Sequence, residues 1–270
     1  MNDSPIGIFD SGMGGLTVMR ALTERLPGER FLYLGDTARL PYGTKSAETV
    51  RRYALQAAQA LTARGVKLIV IACNTASVSL RALQEALKPL PVIGVIEPGA
   101  LAALKAAPHG PIAVIATEGT VKGGAYPRAI HALSQAPVVQ QACPLFVPMA
   151  EEGLTDGPIV EAVAHRYLDP LMATMPRPRA LVLGCTHFPV LKNVIARVVG
   201  ADVTLVDSAA TTAEAVAQLL AERGLARREK STELPLFLAT DAPDRFARVG
   251  EIFLGAPIDP GTVEQIDLQL

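Results

Sequence analysis

The chain has 270 residues, a net charge of -1 and three cysteines; half of it is apolar and only 4% aromatic. A near-neutral balance argues against a nucleic-acid surface or a polybasic membrane patch. Three cysteines in this length make no disulfide framework, so free thiols point to a reducing compartment. The start, Met1-Asn2-Asp3-Ser4-Pro5, lacks the basic-then-apolar order of a signal peptide. No apolar run approaches the ~20 residues of a membrane span. A soluble cytoplasmic protein is expected.

In chain order, residues 6–9 predict a short strand ending at Asp10-Ser11-Gly12-Met13-Gly14-Gly15. Leu16, Met19, Leu22 and Leu26 follow at helical spacing, stopped by Pro27-Gly28. Residues 31–34 predict a second strand, opening into the loop from Gly35-Asp36 through Pro41-Tyr42-Gly43. Val50, Tyr53, Ala54, Ala57, Ala58 and Leu61 share one face of an amphipathic helix, and Gly65 is its natural stop. The apolar run 68–71 reads as a buried parallel strand leading into Cys73-Asn74-Thr75, then a helix ending near Pro89. Residues 92–95 predict a strand that ends at Ile96-Glu97-Pro98-Gly99, before a helix rich in Ala and Leu.

The pattern then restarts. Strands are expected at 112–116 and 137–141, the first ending at Thr117 and the second leading to Cys143 and on to Glu151. A long helix is expected over 158–175, then a strand over 180–184 that runs into Cys185-Thr186-His187, with Pro189 in the first turn of the next helix. A strand over 203–206 leads to Asp207-Ser208-Ala209 and another helix. Residues 225–233 read as a charged loop. The tail offers a strand over 234–239, a helix over 244–253 and a last strand over 263–268. Repeated strand–helix alternation means parallel sheets covered by helices.

Asp10 to Cys73 and Thr117 to Cys185 are similar separations in the same order of elements. This predicts two pseudo-symmetric α/β domains with one cysteine each at a shared cleft, at the carboxyl ends of the strands. The expected division is 1–97 plus 208–270 for the first domain and 98–207 for the second, the tail packing back on the first.

Two thiols facing each other could invert a C–H stereocentre, one taking a proton while the other supplies one to the opposite face. The same pair could form a disulfide, bind a metal, divide into nucleophile and spectator, or simply be buried. Cys-x-His is a poor zinc spacing and no fourth ligand is evident; Cys-x-x-Cys is lacking. The glycines after Asp10 match neither a P-loop nor the dinucleotide fingerprint. They suit close backbone approach to a small anion at a helix start. Asp10 could hold an ammonium group, orient a thiol or cap the helix.

Taken together, Ile8-Phe9-Asp10-Ser11-Gly12-Met13-Gly14-Gly15, Gly35-Asp36-Thr37-Ala38, Pro41-Tyr42-Gly43 and Ala72-Cys73-Asn74-Thr75-Ala76 form an ordered series. It continues with Gly94-Val95-Ile96-Glu97-Pro98-Gly99, Cys143-Pro144-Leu145-Phe146-Val147-Pro148, Gly184-Cys185-Thr186-His187-Phe188-Pro189 and Val206-Asp207-Ser208-Ala209. The series resembles the bacterial glutamate racemase family, cofactor-independent isomerases that supply D-glutamate for peptidoglycan, cell-wall biogenesis and cell shape. An aspartate racemase of the same superfamily and a silent ligand-binding protein on the same fold are the rival readings.

The resemblance implies that Cys73 removes the α-proton of D-glutamate and Cys185 that of L-glutamate. It implies that Asp10, His187 and Glu151 assist the thiols, with Glu152 an alternative to Glu151. Asp10, Ser11, Tyr42, Gly43, Asn74, Thr75, Thr186 and His187 match substrate-binding positions, and Asp36 joins this polar ring. No cofactor, no metal and no nucleic-acid or membrane partner are expected, and a homodimer is. Some family members carry an N-terminal extension linked to activation by a cell-wall precursor. With the first strand beginning at Ile6, no such activation is expected.

Overall fold

The structure, a computed structural model, describes residues 3–227 and 233–268. Met1 and Asn2 of the opening segment, and 228–232 of the stretch read as a loop, lie outside the described residues.

The first half runs β1 (Ile6–Asp10), α1 (Leu16–Arg25), β2 (Phe31–Gly35), α2 (Ala47–Ala63), β3 (Leu68–Ile71), α3 (Asn74–Ser77), α4 (Leu80–Ala86), β4 (Val92–Gly94) and α5 (Ile96–Ala106). The second runs β5 (Ile112–Ala116), α6 (Glu118–Gly123), α7 (Ala125–His131), β6 (Val138–Ala142), α8 (Phe146–Glu151), α9 (Pro158–Met172), β7 (Ala180–Gly184), α10 (Lys192–Val199), β8 (Thr204–Asp207) and α11 (Ser208–Glu222). The tail adds β9 (Leu236–Ala239), α12 (Pro243–Leu254) and β10 (Val263–Gln265).

Two parallel sheets result, with strand orders β10-β9-β2-β1-β3-β4 and β6-β5-β7-β8. The four strands β2-β1-β3-β4 repeat the order β6-β5-β7-β8, so β1 corresponds to β5 and β3 to β7. In both, the chain reverses direction of travel across the sheet between the first and third strands. That is where an open α/β sheet forms a crevice.

Each strand supplies both faces because its side chains alternate. Ile6 and Ile8 of β1 pack with Leu16, Met19 and Leu22 of α1, Val216 and Leu220 of α11, and Phe246 and Phe253 of α12. Phe9 turns the other way, onto Val50, Ala54 and Leu61 of α2 and Leu80 and Leu83 of α4. The second sheet is covered on one side by Phe146, Val160, Leu168 and Val194, and on the other by Ile96, Ala100, Tyr126 and Ile130. Helix α2 begins because Ser46 caps it, its side chain accepting from the Thr49 amide at 3.3 Å. Ser46→Ala costs about 1 kcal/mol by the usual cap value.

Several boundaries differ from expectation. Helix α5 starts at Ile96 and takes in Glu97-Pro98-Gly99, because a proline in the first turn forfeits an N–H that has no helical partner. Pro189 lies in a 3-10 turn, Phe188–Leu191, ahead of α10 rather than in an α-helical first turn. Helix α9 ends at Met172, β8 spans Thr204–Asp207, and the last strand stops at Gln265. The helix after Cys73 is two short pieces, α3 and α4.

Candidate active site

The apolar strand β3 is wholly buried and delivers Cys73 to the end of the sheet, where it caps α3. Its Sγ accepts from the Ala76 amide at 3.5 Å and donates to Ser11 Oγ at 3.7 Å. Strand β7 delivers Cys185 in the same way from the other sheet. Both thiols line one enclosed cavity of about 20 Å³, together with Ser11, Pro41, Tyr42, Gly43, Asn74, Thr75, Thr117, Val147, Thr186 and His187. The cleft holds larger hollows elsewhere, but this is the one where the predicted residues converge. At that volume it holds about one water molecule.

The surroundings of the two sulfurs differ. Asp10 is fully buried beside Cys73, its Oδ2 accepting from the Gly12 amide at 3.0 Å. Burial lifts the Asp10 carboxyl above its ordinary value, against the opposing charge of His187 and the amides of Gly12, Gly15 and Ser11. Burial, then the Asp10 charge, pushes the Cys73 thiol up from 9.0 to about 12. Cys73 is therefore held protonated at neutral pH.

Cys185 instead faces a base with its own support. Its Sγ lies 3.8 Å from His187 Nδ1, while His187 Nε2 lies 3.1 Å from Glu151 Oε1. Glu151 Oε2 in turn accepts from Arg245 at 2.9 Å. Burial works against a charge on His187, yet its hydrogen bonds to Cys185 and Glu151 and the nearby negative charges raise its pKa from 6.5 to about 10. Burial likewise opposes ionisation of Glu151, and His187 and Arg245 overcome it, holding the carboxyl below its ordinary value. An imidazolium thus sits between the carboxylate and the second sulfur. Thr186 links the two surroundings, donating to Asp10 Oδ1 at 3.4 Å and lying 3.4 Å from His187 Nδ1.

The structure gives the positions of the other predicted site residues. Glu151 reaches His187, whereas Glu152 is exposed. In the glycine-rich turn after Asp10, Gly14 also allows a close approach between the two halves. A Cβ on Gly14 would stand 2.5 Å from His187 Nδ1 and 2.6 Å from Thr186 Oγ1, so this glycine lets the first half close on the second. Tyr42 lines the cavity, but its hydroxyl donates to Asp36, which also accepts from Arg39 at 2.7 Å and Thr240 at 3.0 Å. Asp36 therefore braces the Pro41-Tyr42-Gly43 loop and is absent from the cavity lining.

Two residues at the site, Arg245 and Phe253, gave no sequence signal. Arg245 and Phe253, both on α12, hold the His187 arm, Phe253 edge-on to the imidazole with ring centroids 5.0 Å apart. Thr117 and Thr120 meet Thr75 at 2.9 and 3.2 Å across the cleft. Asn74 Nδ2 is buried in this lining with no hydrogen-bond partner. An unsatisfied buried donor is costly unless something fills its need. Among the described residues, no group of His, Cys, Asp and Glu gathers to hold a metal, and no helix is long and apolar enough to cross a membrane.

Comparison with known proteins extends this picture over the whole chain. Residues 6–216 match the Asp/Glu/Hydantoin racemase family. A glutamate racemase of Geobacter metallireducens is 48% identical over 98% of this chain and 97% of its own. A solved glutamate racemase isoform from Bacillus anthracis superimposes with a TM-score of 0.92, at 38% identity over 99% of both chains. One from Francisella tularensis, solved in complex with D-glutamate, gives 0.90 at 40% identity, again over 99% of both. Agreement of this extent, across both sheets and the cleft between them, shows that the chain belongs to the Asp/Glu/hydantoin racemase family.

Proposed function

We propose that the protein is a cofactor-independent glutamate racemase, interconverting the L and D enantiomers with two thiols, one on each face of the α-carbon. The observation that carries this reading is the pair of strand-end cysteines in one closed cavity, one held as a thiol and the other beside an imidazolium. In the L-to-D direction Cys185 takes the α-proton with His187 as its counter-charge, and Cys73 delivers its proton to the opposite face. The D-to-L direction reverses both transfers. The thiols exchange only protons, so each turnover leaves the same number of protons in the site.

The chemical difficulty is that an amino-acid α-proton is far less acidic than a thiol. The site must stabilise a carbanion-like transition state by fixed donors and exclude water. Ser11, Asn74, Thr75, Thr117 and Thr186 supply hydroxyl and amide groups for two carboxylates, and the buried Asp10 carboxyl suits the ammonium. Glutamate is far larger than a cavity of about 20 Å³. Substrate entry therefore requires the two sheets to part, and closure would follow binding.

The same reading divides the chain into 1–97 with 208–270 and 98–207. It places the enzyme in the cytoplasm as a homodimer, making D-glutamate for peptidoglycan. A side-by-side assay with L-glutamate and L-aspartate, without added cofactor, tests the substrate. Racemisation of glutamate at least tenfold faster is expected; a preference for aspartate would overturn the assignment.

A further inference from the structure

Three sequence motifs find no use in proton transfer: Gly94-Val95-Ile96-Glu97-Pro98-Gly99, the Gly184 that precedes Cys185, and Val206-Asp207-Ser208-Ala209. They converge on one residue, Tyr126 of α7. A Cβ on Gly99 would lie 3.2 Å from both Cε1 and the hydroxyl of Tyr126, and one on Gly184 would lie 3.0 Å from its Cε2. The two glycines form the slot for the ring, which is fully buried. Ser208 closes the slot, its Cβ 3.7 Å from where a Cβ on Gly99 would stand. The phenol donates its proton to Asn74 Oδ1 at 2.8 Å.

This matters because an asparagine amide has two ends of opposite character and nearly equal shape. The hydrogen bond from Tyr126 to Asn74 Oδ1 fixes which end is which. With Oδ1 taken by the phenol, the NH₂ group is left as the free end, and that is the buried Nδ2 without a partner in the cavity lining. Had the amide turned over, its oxygen would repel a carboxylate. Burial also raises the Tyr126 phenol well above its ordinary pKa, so its donor proton is retained across the working pH range.

We propose that Tyr126 is a positioning residue that locks the Asn74 side chain with its NH₂ toward the substrate carboxylate, so setting affinity without taking part in proton transfer. The proposal rests on the glutamate racemase reading above. It spans the cleft, since Tyr126 belongs to the helices of the second sheet and Asn74 follows a strand of the first. Closing the cleft therefore completes the binding site.

The test is steady-state racemisation in both directions by the wild type, Tyr126→Phe, Asn74→Ala and the double variant. Tyr126→Phe keeps the ring in its slot and removes only the hydroxyl. It should raise KM about tenfold for L- and D-glutamate alike, as expected for one oriented hydrogen bond. Its kcat and the pH profile of kcat should stay within about twofold, a split that a merely structural defect would not give. Adding Tyr126→Phe to Asn74→Ala should change KM no further. An unchanged KM in the single variant, or a full tenfold effect surviving in the Asn74→Ala background, overturns the proposal.

A second measurement needs no Tyr126 variant to fold. The side-chain amide signals in a ¹⁵N spectrum that disappear in Asn74→Ala assign the Asn74 NH₂ group. Those amide signals should shift when glutamate is added and stay in place when it is not. Signals unmoved by saturating glutamate overturn the proposal. If the wild type leaves glutamate unracemised, the underlying functional reading fails; if it racemises glutamate while Tyr126→Phe keeps its KM, only the Tyr126 assignment fails.

Discussion

Cys73 and Cys185 leave corresponding strands of two sheets built in the same order, yet their neighbours carry opposite charge. Cys73 meets a buried carboxyl, Asp10, and is pushed up to about 12. Cys185 meets an imidazole raised to about 10 and backed by Glu151 and Arg245. The shared strand order places the two sulfurs at equivalent strand ends. The added tail supplies the asymmetry, because Arg245 and Phe253 both come from α12, and β9 and β10 extend only the first sheet. In the proposed reaction this difference separates the environments of the two thiols.

The sharpest way to break this comparison is to remove either sulfur. Cys73→Ser and Cys185→Ser should each lower kcat by ~10³-fold or more, the upper range for loss of a positioned acid or base. A variant keeping a tenth of wild-type turnover would show that its thiol is a bystander. Next come the neighbours. His187→Gln and Asp10→Asn should each cost about 10²-fold in kcat. The α-deuterium isotope effect should grow for L-glutamate in His187→Gln and for D-glutamate in Asp10→Asn. Identical changes in both variants would mean that the two arms are not specialised.

Arg245→Met should have a smaller effect, about tenfold on kcat, since it acts through Glu151 and His187. Arg245 helps hold the Glu151 carboxyl below its ordinary value. Without it that pKa rises, so the acidic limb of the kcat profile should move to higher pH. A profile that keeps its acidic limb contradicts the linkage. The smallest effect concerns stability. His187 has a folded pKa raised from 6.5 to about 10, so its stabilising contribution is complete below 6.5 and lost as pH rises through about 10. Urea unfolding at pH 6 and pH 10 should show a steeper loss in the wild type than in His187→Gln. Cys73 adds a loss of the same sign from 9.0 upward in both proteins.

Much of this layout was legible in the sequence because the decisive signals are local. The runs ending at Asp10, Cys73, Thr117 and Cys185 are short, apolar and followed by small polar groups, the mark of a buried parallel strand opening at a cleft. What stayed hidden depends on contacts between distant segments. Arg245 sits on an amphipathic helix where an arginine reads as a solvated surface residue, and only the return of the tail to the first sheet brings it to Glu151. Asp36 carried the right chemistry and the wrong place, because its partner was the Tyr42 hydroxyl rather than the cavity. Nothing in the sequence near Gly14 and Gly99 shows that they make room for His187 and Tyr126. The choice between Glu151 and Glu152 turned on which face of a six-residue helix meets the imidazole.

The central claim is that two thiols exchange the α-proton of glutamate across one closed cavity. Incubating the protein with L-glutamate in deuterium oxide, without cofactor, tests it most directly, with circular dichroism and α-deuteration followed together. The account predicts that optical activity falls to zero as deuterium enters the α-position, and that Cys73→Ser and Cys185→Ser both stop it. Full optical activity with no deuterium incorporated, from either enantiomer, would contradict it.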